Sequence, residues 1–150
     1  MLKIYNRYII KKFLNKFINI SLIFLSLIFI LNIFEEISFF KNIDTSILTP
    51  YFLTFLNTPI TLFELFPFIF LLSAQLFFNE IFSKDELILL KNSGLSNLKI
   101  AKTLFFFSIF IGFILVVLYY NLASKFKFYY TDIKNSFSND NKYLAVVNDS

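Results

Sequence analysis

Three stretches of the chain carry almost no charge, and short charged segments separate them. The first runs from Phe17 to Phe34, between Lys16 and Glu35. Its eighteen residues would rise roughly 27 Å as a helix, close to the ~30 Å thickness of a bilayer's hydrocarbon core. The second, Thr45 to Asn79, holds only Glu64 as an ionisable group. It is too long for one straight span, and Pro50, Pro59 and Pro67 divide it. Thr58-Pro59 offers a helix start, with Thr as the N-cap and Pro at the first helical position. That predicts a span from Pro59 to about Phe82, kinked near Pro67. Residues 45–57 then form an extracytoplasmic segment with a short helix on the membrane surface. The third run, Thr103 to Ser124, is charge-free and long enough to cross once.

The segment before the first run changes this picture. Lys3, Arg7 and Lys11 recur every four residues, with Lys12 and Lys16 beside them and Tyr5, Ile9, Ile10 and Phe13 between. This pattern predicts an amphipathic lead-in at the headgroups that runs into the span; a flexible basic tail is the alternative. A secretory leader also starts basic, but its apolar region is shorter, about 7–15 residues, and small residues follow it. Here Glu35-Glu36 follow, which favours an uncleaved helix.

Basic residues in the short connections predict orientation. The first sixteen residues hold five Lys and Arg, the 80–102 connection holds four, and 35–44 holds only Lys41. The amino terminus and the 80–102 connection therefore belong in the cytoplasm. Glu64 lies within two turns of the expected outer helix start, where the helix dipole and nearby water suit an anion. An interfacial acid is the plain reading of it, and a substrate or proton site the sharper one.

Composition narrows the chemistry. The chain is 57% apolar and 16% charged, with mean hydropathy +0.70, whereas soluble domains carry about a quarter charged residues. Cysteine and histidine are absent, which removes disulfides, thiolate metal sites and the usual general base. Gly94 and Gly112 are the sole glycines, so no phosphate-binding glycine loop can be written. An enzyme would have to rest on carboxylates, and Glu64 lies on the opposite side from Asp85 and Glu86. No cofactor, metal or nucleic-acid partner is expected, and any ATP would be hydrolysed by another chain.

The cytoplasmic connection Ser83 to Ser96 reads SKDELILLKNSGLS. Ser83 and Glu86 have capping-box spacing, and Asp85 and Glu86 place negative charge at the positive end of a helix dipole. Gly94 sits where a left-handed residue closes a helix, and Ser96 caps the next one. A short, delimited helix with an apolar row is a docking element for a soluble partner with a basic groove; a simple connector is the bland reading.

Arg7-Tyr8-Ile9, the Pro59/Pro67 pair and Asp85-Glu86-Leu87 through Lys91, Ser93 and Gly94, in this order around three spans, resemble the LptF/LptG permeases, the membrane subunits of the lipopolysaccharide exporter. The resemblance covers about 130 residues. It implies an all-α membrane domain in the bacterial inner membrane with three transmembrane helices and a short coupling helix, Lys84 to Ser93. It further implies a cytoplasmic ABC ATPase dimer, a paralogous permease subunit, a periplasmic bridge component, and lipopolysaccharide as substrate among membrane lipids. Glu86 matches the family glutamate that pairs with a basic residue of the ATPase, and Leu90 would pack in its groove. Asp85, Leu87, Lys91, Ser93 and Gly94 complete the coupling set. Asn32 stands where some members carry a basic residue towards lipid phosphates; Lys134 is the best match for a second basic position, with Lys125 and Lys127 nearby. Residues 1–135 would be the first half of the transmembrane domain and 136–150 the start of an extracytoplasmic segment. The chain stops in the run Leu144 to Ser150, where the first strand of the family's β-jellyroll is expected, so it reads as the amino-terminal portion of a six-span permease. A three-span scaffold without transport of its own is the alternative. Another ABC permease type, such as a lipoprotein or macrolide exporter, generally carries a large extracytoplasmic domain directly after the first span, and the short 35–58 interval argues against it.

Overall fold

The computed structural model describes residues 2–43, 45–83, 86–92 and 94–148, and side chains between 4 and 138 within these ranges. Helix α1 runs Leu2–Phe40. Its thirty-nine residues contain neither glycine nor proline, so nothing in the backbone interrupts the i to i−4 bonding. The basic lead-in and the first span are therefore one helix. A turn closed by the Ile43 N–H on the Phe40 carbonyl, at 3.1 Å, ends it. Ser46 opens the next, its hydroxyl accepting from the Leu48 N–H at 3.4 Å.

Helix α2 spans Leu48–Glu64 and α3 spans Phe66–Ser83. This corrects the expected start at Pro59, which lies inside α2. Thr58 is no cap: its hydroxyl donates to the Thr54 carbonyl at 2.7 Å, where an N-cap oxygen would accept. An interior proline removes a backbone bond and crowds the preceding turn. The Thr54 and Thr61 hydroxyls also bond carbonyls four residues back, at 2.8 and 3.2 Å, and the Tyr119 hydroxyl donates to the Pro59 carbonyl at 3.0 Å. The break falls at Leu65, whose carbonyl accepts from Phe68 and Ile69; Pro67 sits in the first turn of α3, where its missing N–H costs little. Glu64 is exposed at the last residue of α2, not near a helix start as expected.

The remaining elements are α4 (Glu86–Asn92), α5 (Asn97–Ile114), a π-helical turn (Leu115–Tyr119) and α6 (Tyr120–Asn148). Ser96 caps α5, accepting from the Lys99 N–H. The helix continues to Asn148, so the residues from Leu144, expected to begin a strand, are helical.

The chain divides into two compact units, Met1–Phe24 with Leu65–Val117, and Leu25–Glu64 with Leu118–Ser150. In the first, Ile9 and Phe13 of α1 meet Phe77 and Ile81 of α3, Leu90 of α4, and Ile100, Leu104 and Ile111 of α5. Phe13 is the hub, with ring centroids 5.2 Å from Phe70, 5.8 Å from Phe77 and 6.1 Å from Phe107. In the second, Phe40, Leu53, Leu56 and Tyr130 form the core, with α2 packed along α6.

Among the described residues, three helical stretches are long and apolar enough to cross a membrane: Ile4–Phe40, Phe66–Ser83 and Asn97–Ser138. Within their most apolar windows only 11%, 22% and 11% of residues are buried inside the chain. Faces this apolar and this uncovered have hydrocarbon as their solvent. The chain is an all-α membrane protein.

Candidate functional site

Helix α4 is anchored at both ends within the first unit. Gly94 has φ of +82°, the left-handed conformation that costs a Cβ-bearing residue steric energy. Its N–H donates to the Lys91 carbonyl at 2.9 Å, and the Leu95 N–H donates to the Leu90 carbonyl at 3.1 Å. These are the two bonds of a Schellman closure, and the apolar pair that accompanies it, Leu90 and Leu95, is buried. The turn delivers the chain to the Ser96 cap two residues later.

At the other end, the Glu86 carboxylate accepts from the Tyr8 hydroxyl at 3.2 Å and pairs with the Lys12 ammonium. Lys12 also lies 3.5 Å from Glu80, and Lys16 lies 2.6 Å from Glu80. Lys16, Glu80, Lys12 and Glu86 thus alternate in sign and tie α1, α3 and α4 together. Lys12 and Glu80 are mostly buried, with side chains 13% and 19% exposed, so water screens this cluster less than a surface pair. Ser83, expected to cap α4 in a box with Glu86, instead closes α3, its hydroxyl donating to the Glu80 carbonyl at 3.3 Å.

The coupling residues read from the sequence separate on this frame. Glu86 is engaged inside the chain, and Leu90, expected to fill a partner's groove, is in the core because helix closure needs it there. Leu87 packs partly against the same core, and Lys91 is exposed. Asp85 and Ser93, and with them the ends of the expected 84–93 helix, lie outside the described residues. The apolar side chains that α4 leaves uncovered are Ile88 and Leu89, 54% and 66% exposed. Leu89 lines a cavity of about 260 Å³ with Ile4, Tyr5, Tyr8 and Glu86. Lys12, Lys16 and Glu80 were missed by sequence reasoning; their readable signal was two basic residues one turn apart on α1 and two acids flanking the connection.

The second unit holds the residues that the resemblance offers to the substrate. Glu36 is fully buried, and its Oε1 accepts from the Tyr130 hydroxyl at 2.7 Å and from the Lys134 ammonium at 2.9 Å. Lys134 also donates to the Tyr130 oxygen at 2.6 Å and lies 4.8 Å from the Phe39 ring centroid. Glu36 Oε2 is buried with no hydrogen-bond partner among the described residues. Lys127 donates to Asn57 Oδ1 at 2.9 Å and sits 4.9 Å over the Tyr130 ring. Asn32 is buried, with its amide 3.5 Å from the Thr58 hydroxyl, and Lys125 is exposed. Lys127 and Lys134 therefore face polar partners of their own unit, and Glu36, noted in the sequence only as flanking the first run, is the centre of the cluster. Its signal was spacing: Asn32, Glu36 and Phe40 share one face of α1, and Lys127, Tyr130 and Lys134 share one face of α6.

No curated protein and no solved structure matches the chain. One family model does, that of the lipopolysaccharide export system permease LptF/LptG, over residues 7–150. With uncovered apolar helices and a closed, capped α4 between the second and third of them, the chain belongs to the LptF/LptG family and is a membrane subunit of a lipopolysaccharide export permease.

Proposed function

We propose that this subunit is driven by a separate cytoplasmic ABC ATPase dimer that docks on α4, pairs with a paralogous permease subunit, and passes lipopolysaccharide from the inner membrane towards a periplasmic bridge component. The amino terminus and α4 are cytoplasmic on this reading. Support comes from one observation above all: α4 is held rigidly at both ends yet presents Ile88 and Leu89 to solvent. A helix fixed in this way transmits a push instead of absorbing it. Ile88 and Leu89 are the apolar contacts for the ATPase, Lys91 flanks them, and Glu86 positions α4 through Lys12 and Tyr8. The Gly94 closure passes the displacement to α5, and the alternating charges pass it to α1 and α3.

For the lipid, exposed Lys125, which makes no ion pair among the described residues, offers a cation to phosphate groups, whereas Lys134 is already neutralised by Glu36 and Lys127 is bound to Asn57. Asn32 contributes through Thr58 to the shape of the second unit.

The test is co-purification in detergent of the tagged chain with the ATPase of the same cell. A Leu89→Glu variant is expected to lose the ATPase by tenfold or more, because it buries a charge in an apolar contact, while Leu98→Glu, an equally exposed position on α5, retains it. Equal recovery with both variants removes α4 as the docking element. If a P-loop ATPase fails to bind even the unaltered chain while binding another member of the family, this chain acts as a scaffold without coupled transport.

A further inference from the structure

The first unit contains a second feature that ATPase docking does not use. A cavity of about 520 Å³ opens between α1 and α5. Its rim is polar, formed by Asn6 of α1 and by Lys99, Lys102 and Thr103 in the first two turns of α5. Its floor is aromatic, formed by Phe106, Phe107 and Phe110. On α5 these positions follow one helical face, at steps of three and four. The character of that face changes along the axis: cationic at the start, wholly apolar after Thr103. From Lys99 to Phe110 the helix rises about 16 Å, roughly the depth of one leaflet's hydrocarbon, half of ~30 Å.

The cations are available. Lys99 and Lys102 are exposed, and neither makes an ion pair among the described residues. Asn6 is fixed by a hydrogen bond from the Thr103 hydroxyl, 3.3 Å, which holds the α1 and α5 sides of the rim together. Phe106 and Phe110, at 68% and 59% exposure, are left uncovered below them. A ligand that complements this surface has an anionic head, an apolar tail about one leaflet long, and access from the membrane plane.

We propose that the α1–α5 cavity binds an anionic glycerophospholipid of the cytoplasmic leaflet, with Lys99 and Lys102 on its phosphate and Phe106, Phe107 and Phe110 along one acyl chain. Basic recesses between spanning helices on the cytoplasmic side recognise anionic headgroups in this way. Such a lipid fills the space beside α5, the helix that follows α4 directly, without any contribution from an ATPase.

The chain contains no tryptophan, so a single introduced one reports the site. The full chain carrying Phe106→Trp is reconstituted in vesicles of phosphatidylcholine and phosphatidylglycerol, with bromine placed on the acyl chains of one lipid at a time. Brominated phosphatidylglycerol is expected to quench at about a thirtyfold lower mole fraction than brominated phosphatidylcholine, a preference of the size two interfacial lysines supply. Lys99→Gln with Lys102→Gln reduces the preference to below twofold, Lys99→Arg with Lys102→Arg keeps it, and Lys41→Gln leaves it unchanged. Phe105→Trp, exposed and turned about 100° round α5 from Phe106, shows no such preference. The proposal is overturned if neither lipid quenches Phe106→Trp, since protein then covers the cavity. It is equally overturned if the glutamine pair keeps the preference, or if Phe105→Trp shows the same one, which makes it a general enrichment. Displacement by millimolar glycerol 3-phosphate would assign the cations to a soluble phosphate instead of a lipid.

Discussion

Glu36 is a carboxylate held at zero exposure in an apolar helix by two donors from α6. A buried charge is costly to leave alone, and removing one member of such a pair destabilises more than replacing both by apolar groups. Lys134→Ala is therefore expected to lower stability by about 3–5 kcal/mol, read as a fall in the unfolding midpoint in detergent. Glu36→Leu combined with Lys134→Met should recover most of that loss, because no charge remains to be compensated. An unchanged midpoint for Lys134→Ala would mean that Glu36 is not held this way. The two acids at the end of the first run were plain in the sequence, but not their difference: Glu35 is exposed and Glu36 buried. Neighbouring residues on a helix point about 100° apart, so the phase of the packing face, set by α6, decides which acid is inside.

At the scale of the element, α4 is defined by its ends. Gly94 was legible because the left-handed closure of a helix selects glycine for local steric reasons, and Ser96 because an N-cap needs a short side-chain acceptor. Leu90 was misread because exposed and buried apolar residues look alike in a seven-residue helix, too short for its periodicity to separate faces. Pro59 was misread because proline starts helices more often than it sits inside them; hydroxyls from Thr54, Thr58 and Thr61, and that of Tyr119, lie around it, and the last comes from a distant helix. The Lys12–Glu86 contact that fixes the start of α4 can be measured by a double-mutant cycle. Lys12→Ala, Glu86→Ala and the double variant should give a coupling on the order of 1 kcal/mol in unfolding free energy. Strict additivity of the two single changes would show that α1 does not hold α4.

For the whole molecule, the absence of cysteine makes orientation directly measurable. Ser46→Cys lies in the connection between α1 and α2, and Asn92→Cys at the end of α4; both positions are exposed. With the amino terminus in the cytoplasm, a membrane-impermeant thiol reagent added to intact cells labels Ser46→Cys and leaves Asn92→Cys unlabelled until the cells are permeabilised. The reverse pattern would invert the topology and place α4 beyond reach of any cytoplasmic ATPase.

By itself the sequence determined the class of the protein, its three apolar stretches, the closure of α4 at Gly94, the Ser96 cap of α5, and the resemblance that the family match confirms. These are local or additive properties: hydropathy sums along a segment, and caps act within a few residues. Tertiary structure alone decided which charges are paired. Glu86 meets Lys12 across 74 residues and Glu36 meets Lys134 across 98, separations at which nothing in the local pattern encodes a partner. It also decided that Leu90 is core and that Ile88 and Leu89 are surface, since burial depends on which helix lies opposite.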